Sequence, residues 1–419
     1  MLNIVKFFFW ATTYKIILEL VYYFFVAPNY SYSGLIWRPS FSNFIISYLI
    51  FFCLLILLPR GQKRPSHQLT QLLFFIIIIP ILSFYWQTDR TLTYVIYVTF
   101  CCFILFLILN ISKPFNMKLL KIDTTRSLSL VNSIFMISLL LLILFTLIYG
   151  GMDLRTLNFS AAYDLREETE YGLVWGYLVN WLGKVLIPFC IVMYTLKNKK
   201  LLLFLSCIMQ IYLYLCTGNK STLFSVLFLV FFTFVLKKNK FLFGIPTFYT
   251  IAIILSTIFF TLTRNLYFIA ILPIRQLNIP AQLNFVHYEF FSKNPKLLFS
   301  EGLIGKVFGI NSPYDLPAAV LVSRAGENAN TGFLGDAYDN GGFIAMILLT
   351  FLLAIIFLFI DSISQHSIER YKYTAFSLYT IIIITDTGLL TTLLTSGTLI
   401  LLLLLYILAS EERNISSVT

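Results

Sequence analysis

Uninterrupted apolar runs recur from one end of the sequence to the other, and they leave few folds open. A helix needs about 20 apolar residues to cross the hydrocarbon core, because each backbone N–H and C=O must be satisfied within the segment. Runs of this kind occupy residues 7–27, 42–58, 69–86, 91–111, 130–149 and 173–196. They continue at 201–216, 222–236, 245–262, 343–360 and, in shorter form, at 374–384 and 397–409. Only 12% of the residues are charged, about half the usual share, so a water-soluble fold is excluded. The expectation is an all-α polytopic membrane protein, one integral membrane domain over residues 1–419, with about twelve transmembrane helices.

Charge orients such a bundle. Basic clusters stand at Arg60/Lys63/Arg64, Lys113/Lys118/Lys121/Arg126, Lys197/Lys199/Lys200, Lys237/Lys238/Lys240 and Arg370/Lys372, in every second connection. The positive-inside rule then puts both termini in the cytoplasm. The net charge of +11 is mostly this bias, and no nucleic-acid partner is implied. The first run carries Lys15 and Glu19 and lacks a cleavage site, so it reads as a first span. Those two residues stand one helical turn apart and can pair, lowering their cost in lipid. The cysteines show neither CxxC nor metal spacing, and no metal or cofactor is expected.

Two connections on the outer side are long: residues 150–172 and residues 264–342. Loops of the second size are usually functional or disordered, and its regular alternation of apolar and polar residues favours function. The outer connections hold Arg38, Arg90, Arg155, Arg166, Arg264, Arg275 and Arg324, against the topological bias. Guanidinium binds phosphate in a planar, bidentate way, so an anionic ligand at the membrane boundary is one reading. Pairing with outer acids such as Asp153, Glu289 and Glu327 is the other.

Three constellations carry candidate chemistry. The smaller loop presents Tyr163, Asp164 and Arg166 among alternating charges. Thr217-Gly218-Asn219-Lys220-Ser221 approaches the GK[ST] core of a phosphate loop, with Asn219 between glycine and lysine, but it lacks the first glycine and a preceding strand, so nucleotide binding is rejected. A re-entrant hairpin bringing Lys220 to an outer cavity is the functional alternative to a plain turn. In the long loop, Leu283, Val286 and Phe290 have helical spacing, predicting a short amphipathic helix on the membrane surface over 281–292. His287 and Glu289 fall off that stripe. Further on, Asp336 and Asp339 stand three apart on one helix face, where carboxylates can accept a proton, orient a sugar hydroxyl or bind a cation.

The stretch Asn330-Thr331-Gly332-Phe333-Leu334-Gly335-Asp336-Ala337-Tyr338-Asp339-Asn340-Gly341-Gly342 resembles the bacterial O-antigen polymerases of the Wzy type. Gly341 replaces the aromatic usual there. The Thr217–Ser221 turn, the late outer loop and the number of spans are similar as well. The resemblance implies a GT-C-like fold with a large periplasmic loop containing short amphipathic helices. It also implies an enzyme at the periplasmic face of the inner membrane that transfers a growing chain between undecaprenyl-pyrophosphate-linked oligosaccharides. Membrane lipid and a chain-length regulator (a polysaccharide co-polymerase) are the further partners it suggests. On this expectation Arg264, Arg275, Arg324, Arg166 and Lys220 hold the pyrophosphates, since the leaving group needs positive charge more than a proton. Asp336, Glu327 or His287 acts as the base, and Asn330, Tyr338, Asp339 and Tyr163 contact sugar. An O-antigen ligase would look similar at this level. A transporter would show a two-fold repeat in hydropathy, and none is found.

Overall fold

The computed structural model describes residues 2–117, 119, 127–157, 171–322 and 330–416. All regular structure among them is helical. The main helices are Leu2–Val21 (α1), Phe41–Leu57 (α2), Pro65–Gln87 (α3), Leu92–Ile111 (α4), Ser127–Tyr149 (α5), Leu173–Leu196 (α6) and Lys200–Thr217 (α7). They continue with Lys220–Lys237 (α8), Phe241–Thr263 (α9), Ile279–Phe291 (α10), Phe333–Ser364 (α11), Tyr371–Ile383 (α12), Leu389–Leu394 (α13) and Thr398–Ser416 (α14).

Eight of them, α3 to α9 and α11, are long and apolar enough to cross a membrane. This is fewer than the roughly twelve runs read from hydropathy. Helix α2 stops at 17 residues, and the run at 374–384 is cut from α13 by the unwound segment 384–388. Large side chains such as Leu147, Leu227 and Leu262 are exposed, as suits a surface covered by lipid. Inside the bundle α1 packs along α9, α4 and α10 pack on α11, and α12 packs between α3 and α8.

Proline shapes the spans by one repeated device. Four π-helical stretches, Tyr22–Val26, Phe74–Ile78, Leu182–Leu186 and Ala270–Asn278, are each followed two residues later by a proline. Pro28, Pro80, Pro188 and Pro280 have no N–H to return to the carbonyl four residues back, and their rings clash with it. The chain widens there instead, and the preceding residue bonds five back, as Ile79 N–H does to Phe74 O. A freed carbonyl in lipid needs a donor. Tyr14 Oη supplies Phe75 O at 3.0 Å and Gln210 Nε2 supplies Gly183 O at 2.7 Å, while Asn29 Nδ2 and Asn278 Nδ2 bond the nearby Phe25 O and Pro273 O at 2.7 and 2.6 Å.

Lys15 and Glu19 pair as their spacing predicts, Nζ to Oε1 at 2.5 Å. Both are buried. Lys15 Nζ also donates to Ser47 and Ser83 at 3.1 Å, while Tyr48 and Trp86 donate to the Glu19 carboxylate. The full complement of hydrogen bonds is what makes a buried pair tolerable, and it ties α1 to α2 and α3.

Two expectations need correction. The turn Thr217–Ser221 joins two 18-residue helices and is not a re-entrant hairpin. Gly218, at φ +65°, ends α7 in the left-handed conformation that glycine adopts freely. The helix expected on the membrane surface is instead docked in the bundle, and it extends back through the π stretch to Tyr267. Its buried face carries Asn284, Phe285, His287, Tyr288 and Phe291, whereas Leu283, Val286 and Phe290 are only half-buried. The stripe that looked like a lipid-facing side is the outer one because the inner side meets polar groups of α4 and α11.

Candidate functional site

Helix α10 is held against the bundle by polar contacts along its length. Gln282 Nε2 donates to Ser33 O at 2.9 Å, and Tyr94 Oη on α4 donates to Asn284 Oδ1 at 2.6 Å. Arg90 Nη1 donates to both Glu289 oxygens at 2.7 and 2.8 Å. This anchoring turns His287 toward the first turns of α11. There its Nδ1 meets Asp339 Oδ2 at 2.5 Å, with both residues buried. A carboxylate on Nδ1 fixes that nitrogen as the donor and leaves Nε2 the basic one.

Helix α11 supplies the rest from one face. Asp336, Asp339 and Asn340 stand at i, i+3 and i+4, the spacing that stacks side chains on successive turns. The Asp336 carboxylate is half-buried, accepts no hydrogen bond among the described residues and lies within electrostatic reach of Asp339, His287 and Glu301. Asp339 Oδ1 is buried without a hydrogen-bond partner among the described residues. Asn340 ties down the segment after α10: its Oδ1 accepts from Phe299 N at 2.8 Å, and its Nδ2 donates to Asp336 O at 2.8 Å. Leu297 N and Leu298 N donate to Asp339 O and Asn340 O. Leu298 and Phe299 are both left-handed, at φ 52° and 63°, a strain of about 1 kcal/mol or more each, held by these bonds.

The same segment delivers Lys296. Its Nζ donates to Phe291 O at 2.7 Å and lies 3.6 Å from the centre of the Tyr338 ring. Helix α11 breaks at Gly341 and Gly342, and Gly342 takes φ +63°. A Cβ there would stand at ordinary contact distance from Lys296 Cε, 3.6 Å, so glycine is needed for the bend and not for the approach of the lysine. Burial pushes the Lys296 amine down to about 8, against the opposing pull of Asp339. Burial likewise pushes the Glu301 carboxyl up, aided by Asp339 and opposed by the bond its Oε1 accepts from Ala318 N and by His287. Tyr338 packs with Tyr288 and Tyr97 into an aromatic wall beside the pair.

A second irregular segment closes the other side. Phe333 N donates to Ile384 O at 3.1 Å, in the unwound stretch between α12 and α13. A Cβ on Gly332 would come within 2.5 Å of Thr385 O, and one on Gly388 would strike the Asp336 carboxylate. Glycine at both positions lets the start of α11 and the unwound stretch touch.

The structure thus gathers His287, Asp336, Tyr338 and Asp339 into one cluster. Asn330 is exposed just ahead of it. Arg264 is exposed at the left-handed end of α9, and Arg275 is exposed on the π stretch near Tyr30. Arg275 precedes His287 by twelve residues of helix, roughly 18 Å at 1.5 Å per residue. Lys220 begins α8, next to Ser221, whose hydroxyl accepts from Tyr379 Oη on α12 at 3.2 Å. Tyr163, Arg166, Arg324 and Glu327 lie outside the described residues. Two of the other arginines pair with acids: Arg90 with Glu289, and Arg155 with Asp153 at 2.7 Å. Sequence reasoning missed Lys296 and Glu301. The signal for the first was the Lys-Asn-Pro-Lys run just after α10, a sharp chain reversal that returns a lysine to the helix it leaves.

Among the described residues no group of three or more His, Cys, Asp or Glu side chains converges as a metal site requires. No family model, curated protein or solved structure matches the chain.

Proposed function

We propose that the protein is a membrane glycosyltransferase that joins oligosaccharide repeat units carried on undecaprenyl pyrophosphate, in the manner of the O-antigen polymerases its 330–342 stretch resembles. The observation that carries this reading is Asp336: a half-buried carboxylate that accepts no hydrogen bond among the described residues, set beside the buried His287–Asp339 pair. In the proposed reaction an acceptor hydroxyl of one repeat unit attacks the anomeric carbon of the chain on a second carrier. The new C–O bond forms as the bond to pyrophosphate breaks, and the hydroxyl proton passes to Asp336. His287 and Asp339 position Asp336 electrostatically, since a protonated histidine beside two carboxylates offsets their mutual repulsion. Lys296 adds a positive charge, and Arg264, Arg275, Lys220, Arg166 and Arg324 are the candidates for the pyrophosphates. Tyr338 and its aromatic neighbours offer ring faces to a sugar.

In this proposal the site lies at the periplasmic face of the inner membrane, both termini are cytoplasmic, and the helices are arranged as in GT-C enzymes. Support comes from the alternation of the basic clusters with the connections that carry the site. The deciding test is a deletion strain complemented with the gene. One repeat unit on lipopolysaccharide core in the deletion, and a restored ladder with the gene, supports a polymerase. Loss of all O-antigen from the core would assign the protein to ligation or flipping instead.

A further inference from the structure

At the end of the bundle away from His287, a cavity of about 830 Å³ opens between three connections far apart in sequence. Lys63 precedes α3, Lys237 ends α8 and Arg370 precedes α12, and all three line it together with His366. Among the described residues no carboxylate lines it. Of the neighbouring acids, Glu369 accepts from Tyr371 Oη at 3.1 Å at the edge of the hollow, and Asp361 accepts from Arg64 and Ser66. None of the three basic side chains has an ion-pair partner among the described residues. A topological charge bias requires basic residues at this end. It does not require that three of them, from separate connections, converge on one unneutralised hollow.

From this convergence we infer a phosphate-binding site at the end of the bundle opposite the candidate active site, and we assign it to the headgroup of an anionic phospholipid. Depth supports that source. Helix α8 has 18 residues, about 27 Å at 1.5 Å per residue. That nearly equals the ~30 Å hydrocarbon core, so Lys237 at its end falls at the level of lipid phosphates. The rim adds an apolar contact. Ile368 is 99% exposed and Leu236 lines the wall, a pairing of grease with charge that suits acyl chains beneath a phosphate. Basic pockets between membrane helices bind lipid headgroups by this combination.

The test uses the full-length protein in neutral detergent, titrated with phosphatidylglycerol, with phosphatidylcholine, or with inorganic phosphate, while the unfolding midpoint is followed. Phosphatidylglycerol is expected to raise the midpoint well above the phosphatidylcholine value. The increment should fall by at least half in Lys63→Gln/Lys237→Gln/Arg370→Gln and persist in Arg38→Gln at the other end. An equal rise with inorganic phosphate alone, lost in the triple variant, would support the phosphate site and overturn the lipid as its source. Equal shifts with both lipids, or an undiminished shift in the triple variant, overturn the site. Should the triple variant not fold, native mass spectrometry of Lys63→Gln decides. Retained phosphatidylglycerol equal to the parent's refutes the assignment, and reduced retention supports it.

Discussion

Asp336 and Asp339 stand one turn apart on α11, yet asparagine at each should differ in its effect on stability. The Asp336 carboxylate accepts no hydrogen bond among the described residues, so Asp336→Asn breaks no contact and should lower stability by no more than about 1 kcal/mol. If it takes the acceptor's proton, the rate falls by about 10²–10⁴, or roughly 2.7–5.5 kcal/mol of barrier at 1.36 kcal/mol per decade. Asp339→Asn faces a different choice. With its oxygen toward His287 Nδ1 it buries an NH₂ where Oδ1 now has no partner. That costs about 1–3 kcal/mol, besides the lost charge assistance. With its NH₂ toward the ring it forces the imidazole proton onto Nε2 and inverts the tautomer. Either way stability falls, and activity falls with it. The assay is chain extension of undecaprenyl-linked repeat units in reconstituted vesicles, resolved as a ladder, alongside unfolding midpoints in the same lipid. Asp336→Asn retaining more than about a tenth of the rate, a loss of under one decade, would refute the role given to Asp336. Asp339→Asn unfolding at the parent's temperature would refute the role given to the pair.

Lys296 gives a pH prediction. Its amine is pushed down to about 8, so its charge is present below that pH and lost as pH rises through it. Activity that needs the charge declines above about pH 8 in the parent, whereas Lys296→Arg, charged throughout, keeps its rate on the alkaline side. Identical alkaline limbs would exclude Lys296 from the mechanism. The folded chain also holds this proton less tightly than the unfolded chain, so the contribution of Lys296 to stability rises with pH from about 8 toward the ordinary lysine range. Gly332→Ala drives a methyl to 2.5 Å from Thr385 O, and should cost about 1–3 kcal/mol as overpacking against backbone. Gly176→Ala, with nothing within 4 Å, serves as its neutral or stabilising counterpart when both unfolding midpoints are compared. Gln210→Leu leaves the Gly183 carbonyl of the α6 bulge without its 2.7 Å donor. A loss of about 0.6–1.7 kcal/mol is expected, read by reversible unfolding in mixed micelles.

Much of the bundle is written in local pattern. The apolar runs mark the helices, and the one-turn spacing of Lys15 and Glu19 foretells their pair. Asp336 and Asp339 are legible as partners on one face because both lie in a single helix. The His287–Asp339 contact is not legible, since 52 residues separate the two and no periodicity links α10 to α11. Hydropathy also misassigned the inner side of α10. The stripe rule assumes that the buried side is apolar, but here the neighbours Tyr94 and Asp339 reward Asn284 and His287 instead.

Irregular backbone sorts into two kinds in this chain, and the sorting bears on where function lies. Within a membrane such backbone survives only where protein covers it or water reaches it. In the π stretches of α3 and α6 a carbonyl skipped by the widening is capped by a side-chain donor, so those bulges are held by the protein itself. Three further irregularities meet around one cluster: the Gly341–Gly342 break, the left-handed Leu298–Phe299 pair and the unwound 384–388 stretch. There Asp339 Oδ1, Thr331 Oγ1 and Ser300 Oγ are buried without partners among the described residues. Unmatched polar atoms at strained backbone are costly to stability alone. They are intelligible if hydroxyl groups of a ligand complete them, which is what a sugar brings. Apolar replacement of Thr331 separates the two cases: Thr331→Val should stabilise the free protein slightly and weaken substrate binding, whereas a purely structural hydroxyl would lose stability and leave binding unchanged.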